Sequence, residues 1–267
     1  MRRIFDILPL LWLVVVIILA ILAPWIAPAN PYHPVADPLL SPRMHPPLGT
    51  DNLGRDLWSR MLFGCRISPG ASLLAALITL SLGSVLGFST AIFGGRIDRV
   101  IVSVINASLA VPALLLAMLL VAGLGPGIAT VILAIGFGGV PAFARVTRTI
   151  CLQLMEKEYI YAAEALGASR LHIMIRHLLP NAASQIVFLA TTHYAWAFMG
   201  ITTLTFLGLS GDPGLPDWGS ILNHGRLFLI QAPWLILAPG LAITITILSI
   251  HRIGVFFTEP KPHPRIR

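Results

Sequence analysis

The chain reads as an all-α membrane protein with six transmembrane helices and both termini on the cytoplasmic side. Three observations predict this. Of 267 residues, 56% are hydrophobic and only 11% charged, with a mean hydropathy of +0.84, whereas a soluble domain carries about 25% charged residues. Five stretches, 7–36, 67–95, 100–144, 177–211 and 227–251, contain no Asp, Glu, Lys or Arg, and each reaches the roughly 20 residues that a membrane-crossing helix needs. The third observation is an uneven sharing of basic residues between alternate loops, which sets the orientation.

Helices are expected near 7–28, 72–94, 100–122, 128–145, 183–208 and 233–253. The first follows Arg2 and Arg3 as a signal peptide would. Its apolar run is too long for a signal's core, however, and it ends in Pro24-Trp25-Ile26-Ala27-Pro28 without a small-x-small cleavage pattern, so it reads as a retained helix. The stretch 100–144 holds two spans, divided at the breaker cluster Gly123-Leu124-Gly125-Pro126-Gly127. Pro112, Pro141 and the Pro239-Gly240 pair are expected to kink their helices or leave carbonyls free. In the second span, Gly83 and Gly87 form a GxxxG pair that permits close helix approach.

With the N-terminus inside, the inner segments hold 13 of the 18 basic residues and 6 of the 11 acidic ones. The formal charge of +7 therefore falls on the inner face, and the outer face is neutral. That excess is a topology signal, and no nucleic-acid partner is needed to explain it. The chain divides into an N-terminal helix (1–28), an extracytoplasmic segment (29–71), a five-helix core (72–253) with an inner loop 146–182 and an outer loop 209–232, and a cytoplasmic tail (254–267).

Long loops on a helical scaffold are where partners and gates are expected. The first outer segment is Pro-rich up to Pro47, then changes character at Gly49-Thr50-Asp51-Asn52-Leu53-Gly54-Arg55-Asp56. Thr50 and Asp51 are N-cap residue types, and Leu57 to Phe63 mixes apolar and polar residues as a short interfacial helix does. The inner loop reads as two helices meeting at a corner. Arg148 to Leu166 are good helix formers, Gly167 fits the left-handed C′ position, Ser169 can cap a second helix from Arg170 to Leu179, and Pro180 opens the fifth span. Such a corner, with Ala162 and Ala163 on one face, presents either a compact knob to a cytoplasmic partner or a hairpin lying on the membrane.

Several chemistries are excluded. The two lysines, Lys157 and Lys261, do not follow glycine, so there is no phosphate-cradling P-loop. Histidine pairs at i, i+4 spacing and an HExxH are absent, and Cys65 and Cys151 make neither a disulfide framework nor a CxxC metal cluster, so no catalytic residues and no metal site are expected. No acidic residue lies inside a span, which disfavours a proton-coupled carboxylate relay. The polar content of the spans is neutral. His193, Trp196, Gly200 and Thr203 fall on one face of the fifth span as a candidate pathway lining, with a hydrogen-bonded interhelical His as the alternative. Asn106, with Ser103, suits either interhelical hydrogen bonding or pathway lining.

Ala162-Ala163-Glu164-Ala165-Leu166-Gly167, followed by Ala168 and, further on, Leu179-Pro180, resembles the EAA loop of ABC importer permeases. The wider stretch from Glu158 to Ser169, closing with Arg176 to Asn181, is similar to the dipeptide/oligopeptide/nickel branch. The block from His45 to Asp56 with Ser59-Arg60, the run Phe206-Leu207-Gly208-Leu209 and the run Pro216-Asp217-Trp218-Gly219 resemble the outer signatures of that branch. Departures are Tyr161 in place of Glu, His177 in place of Ile, Asn106 in place of an acidic residue, and a C-terminal end that lacks the branch's usual motif.

The resemblance implies a type I importer permease in a prokaryotic cytoplasmic membrane, working with a homologous second permease, two cytoplasmic ATPase subunits and an extracytoplasmic solute-binding protein. ATP and magnesium would sit on the partner ATPases, with no cofactor in this chain. Ala162, Ala163, Glu164, Gly167, Ala168, Leu179 and Pro180 would couple to an ATPase. Asp51, Arg55, Asp56, Arg60, Asp217 and Trp218 would form an outer lid or binding-protein contact. Di- or oligopeptides are the first expectation for the solute, with nickel or metal chelates and oligosaccharides as alternatives. A stand-alone channel or secondary carrier is the competing class.

Overall fold

The computed structural model describes residues 2–256. Within them the chain is helical, with two isolated bridges, Pro34 to Arg55 and Thr50 to Asp56, as the only extended pairings. The expected tail from 257 onward, with Glu259, Lys261, Arg265 and Arg267, lies outside the described residues.

Ten α-helices follow in order: α1 (Arg2–Ile26), α2 (Leu57–Phe93), α3 (Gly95–Leu109), α4 (Ala113–Leu124), α5 (Ile128–Met155), α6 (Glu158–Ala165), α7 (Arg170–Ile173), α8 (Leu179–Phe206), α9 (Trp218–Gly225) and α10 (Trp234–Phe256). A π-helical segment, Met174–Leu178, joins α7 to α8. Five continuous helical segments are long and apolar enough to cross a membrane, and α3 with α4 makes a sixth candidate bent by 88°.

The kink expected at Pro112 is a complete break in the helix expected over 100–122. Proline has no N–H to donate and disfavours the α conformation in the residue before it, so Pro112 stops α3 outright and becomes the N-cap of α4. One correction concerns 57–63. These residues are the first turns of α2, a single 37-residue helix, and do not form a separate interfacial helix. The cap is Asp56, whose carboxylate accepts from the Ser59 N–H and hydroxyl. Thr50 instead staples the loop, accepting from the Leu40 N–H at 2.8 Å and donating to the Asp37 carbonyl at 2.7 Å. Another correction splits the expected inner helix at Glu156 and Lys157, between α5 and α6. The outer loop contains α9, which the sequence reading did not assign.

Helices α2 and α5 form the centre. In lipid the attraction between apolar helices comes from close packing, so small residues mark the interface. The GxxxG pair works this way: a Cβ on Gly83 would lie 2.9 Å from Phe143 Cβ, and one on Gly87 would lie 2.6 Å from Thr147 Cβ. From the other side, Thr79 fills the space left by Gly139 and donates to the Gly136 carbonyl at 2.7 Å. Gly87→Val is therefore expected to lower stability by about 1–3 kcal/mol through overpacking. Thermal unfolding of the solubilised protein checks this, and an unchanged midpoint would mean that the helices part without cost.

The remaining helices surround this pair. α1 lies against α2 and α10, with Trp12 Nε1 donating to Thr246 Oγ1 at 3.0 Å. Most of its large side chains are exposed, as suits a lipid-facing helix. The chain entering α5 meets the chain leaving α8, Gly127 N donating to Leu209 O at 3.1 Å. At the opposite end of the bundle, Gly94 and Gly95 share a cleft with Met155 and Arg170.

Candidate functional site

Two clusters of sequence-singled residues assemble at opposite ends of the bundle. The corner between α5 and α8 is the first. α6 ends in a double reverse hydrogen bond, Gly167 N to Glu164 O at 2.9 Å and Ala168 N to Ala163 O at 3.0 Å. This closure needs a left-handed residue, and Gly167 has φ +83°. Ser169 then accepts from the His172 N–H as cap of α7, as its residue type predicts.

Ile160, Ile173, Leu178 and Ala182 are buried with Phe88, Ala91, Ile92 and Cys151, which roots the corner in the ends of α2 and α5. Arg170 adds a polar root. Its guanidinium donates to the carbonyls of Ile92 at 3.2 Å and Phe93 at 2.9 Å, satisfying carbonyls that the end of α2 leaves open. Beside it, Arg148 grips Asp98 through two bonds of 2.7 Å, tying α5 to α3.

What the corner presents outward mixes small apolar residues with a carboxylate and a leucine apex. Ala162, Glu164 and Gly167 are exposed, Ala163 and Ala168 half-buried, and Leu166 at the apex is 90% exposed. Tyr159, His172 and His177 flank an open groove of 680 Å³ floored by the alanines. Their rings meet in series, Tyr159 tilted against His177 at 6.1 Å and His177 edge-on to His172 at 6.0 Å between centroids. Leu179 and Pro180 are exposed beyond the groove, on the first turn of α8. The sequence reading missed Arg170, Asp98 and Arg148 as the roots of this corner, and the basic residue directly after the Ser169 cap was the available signal.

The second cluster also assembles. Asp51, Arg55, Asp56, Arg60, Asp217 and Trp218 come together, each at most 4% exposed in the isolated chain, and they hold the outer loops. Asp51 pairs with Arg55 at 2.6 Å and lies 3.5 Å from Arg60. Arg60 also donates to Pro31 O at 3.0 Å, Gly214 O at 3.1 Å and Leu215 O at 3.4 Å, joining both outer segments to the head of α2. Asp217 caps α9 through the Gly219 and Ser220 N–H groups. Trp218 occupies the space beside Gly64, with Nε1 donating to Met61 O at 3.1 Å.

The expected polar face of α8 is only partly open. His193 is half-buried, its ring edge-on to Phe143 of α5 with centroids 5.0 Å apart. Gly200 sits against Ile135. Trp196 is partly exposed, and Thr203 lines an apolar groove with Phe206 and Arg226, the guanidinium lying 5.4 Å over the Phe206 ring. Asn106 lies on a different helix from this face. It is exposed on α3, and neither it nor Ser103 makes an interhelical side-chain hydrogen bond among the described residues. Groups of three or more His, Cys, Asp or Glu able to hold a metal are likewise absent among the described residues.

Comparison with known proteins bears on both clusters. Residues 80–258 match the model of the binding-protein-dependent transport system inner membrane component, a span that includes the whole corner. A Brucella suis protein named as a permease of a peptide transport system is 39% identical over 258 residues, covering 95% of this chain and 85% of its own. The glutathione transport system permease protein GsiD of Escherichia coli O157:H7 is 37% identical over 246 residues, 91% of this chain and 81% of its own. In such systems ATP is bound by partner ATPases and the solute is delivered by a binding protein. With an apolar helical bundle, a rooted corner exposed at one end and a likeness running nearly its full length, the chain belongs to the inner membrane permeases of binding-protein-dependent ABC transporters.

Proposed function

We propose that this chain is one of two permease subunits of an ATP-driven peptide importer, coupled to an ATPase through the corner at Ala162 to Gly167. The observation that carries the coupling role is the exposed, glycine-closed apex bearing Leu166, fastened by Arg170 to the end of α2. Closure of the ATPases pushes a rigid corner and swings α2, α5 and α8 together between inward-open and outward-open states. The peptide substrate is supported by the relatives named for peptide and glutathione transport.

Six passes with both ends of the bundle's chain inside, in a type I arrangement, fit the paired helix ends and the inner surplus of basic residues. α3 begins beside Met155 and α4 leads into the loop that meets Leu209, so the bent pair traverses the same depth as its neighbours. The inner corner then carries Lys157, Arg170 and Arg176 on the cytoplasmic side. His193, Trp196 and Thr203 contribute one wall of the route, and the outer staple sets the shape of the surface on which the binding protein sits.

The test is reconstitution in liposomes with the second permease, the ATPases and the binding protein. Uptake of a labelled tripeptide or glutathione that requires ATP is expected. Uptake by this chain alone, driven only by a gradient, would establish the channel or carrier instead. Heat-stabilisation of the binding protein across peptide, nickel-chelate and oligosaccharide panels identifies the solute, and stabilisation by a chelate or sugar alone would replace the peptide assignment.

A further inference from the structure

Helix α3 has three faces. Asp98 and Ile105 point inward, the first onto Arg148 of α5. Ile97, Val100 and Val104 form an exposed apolar face. Arg96, Arg99, Ser103 and Asn106 fall at helical spacings of three and four on the remaining face, and all are exposed. Protein satisfies the first face and lipid the second. On the third face Arg99 donates to the Gly95 carbonyl at 3.4 Å, whereas the side chains of Ser103 and Asn106 have no hydrogen-bond partner among the described residues, and a polar side chain at membrane depth is placed toward the bundle interior or a water-filled cavity.

A second observation singles out the same side. Ala110 continues that face, and there the helix breaks by 88°. The carbonyls of Ala110 and Val111 accept no backbone hydrogen bond among the described residues, and residues 109–113 are exposed. Broken backbone inside a membrane is tolerated only where protein covers it or water reaches it. An Asn amide and a Ser hydroxyl thus share one side of a helix that ends in two open carbonyls.

We infer that the Ser103–Asn106 face of α3 and the break at Ala110 to Pro112 line the aqueous route on its cytoplasmic side, where they exchange hydrogen bonds with the amide groups of the passing solute. This rests on the importer reading above and adds a second wall to the route, separate from α8. Neutral donors and acceptors suit the task, since they bind a peptide group without holding it. Arg96 and Arg99 at the inner end draw a carboxylate outward toward the cytoplasm.

Cysteine accessibility in the complete transporter tests it. The native Cys65 and Cys151 are buried, so they contribute little background. In inside-out vesicles, Ser103→Cys and Asn106→Cys are expected to react with a membrane-impermeant methanethiosulfonate when nucleotide is absent and to lose that reactivity after trapping with ATP and vanadate. Val104→Cys, on the adjacent face, is expected to stay unreactive in both states. Absence of reaction at 103 and 106, or equal reaction in both states as an interfacial helix would give, overturns the inference. ATP-dependent tripeptide uptake is measured in the same vesicles. If it persists while the labelling fails, only the α3 assignment falls; if uptake in the unmodified transporter does not need ATP, the importer reading itself falls.

Discussion

Arg60→Ala is expected to abolish accumulation of the folded protein in the membrane, and with it transport. The guanidinium is 1% exposed and holds three backbone carbonyls drawn from two outer segments, besides its approach to Asp51. Deletion leaves those carbonyls without their donor and Asp51 with Arg55 as its remaining ionic partner. Breaking a buried charged network in this way costs about 3–5 kcal/mol, which is a large part of the roughly 5–15 kcal/mol that holds an ordinary domain together. Arg60→Lys is expected to recover little, because one ammonium cannot reproduce a planar fork that reaches Pro31, Gly214 and Leu215 at once. Protease resistance of the outer loops in right-side-out vesicles reads the effect directly. Wild-type resistance in Arg60→Ala would mean that the loops are held by packing alone.

Gly167→Val is expected to eliminate ATP-driven uptake while leaving the affinity of the binding protein for its solute unchanged. The position has φ +83°, a conformation that costs an ordinary residue about 1–2 kcal/mol and a β-branched one more. A Cβ there meets nothing within 4 Å in the isolated chain, so the penalty is conformational rather than steric. The double hydrogen bond that closes α6 opens, and the Leu166 apex loses its fixed direction. Gly167→Asn is expected to retain much of the uptake, because Asn tolerates the left-handed region. Copurification of the ATPases with each variant locates the defect. Full uptake by Gly167→Val would remove the coupling role from this corner.

The two sites differ in how far they can be read from the chain. The corner is built from signals within a dozen residues of one another, a Gly for the left-handed turn, a Ser cap and alanines at helical spacing, and its geometry follows from local backbone chemistry. The outer block carries equally specific residues, yet their burial was not legible. Arg–Asp pairs in a loop look like recognition groups until their burial is known, and burial depends on Gly214 and Leu215, more than 150 residues away from Arg60. The third span was legible in part: a proline in an apolar run predicts a disturbance, and the folded chain shows it as a turn of 88°.

The sequence by itself determined the membrane setting and the apolar segments, because the cost of a charge in lipid applies residue by residue and leaves its mark on composition. It also determined the corner at Gly167, whose hydrogen bonds close within one turn of chain. Only the tertiary structure decided which polar residues are buried and which are open. Arg60 and Trp218 vanish into a staple, while Ser103 and Asn106 emerge on a free face of α3. Exposure is a property of the neighbours that a residue acquires on folding, and in this bundle those neighbours are brought together from distant parts of the chain.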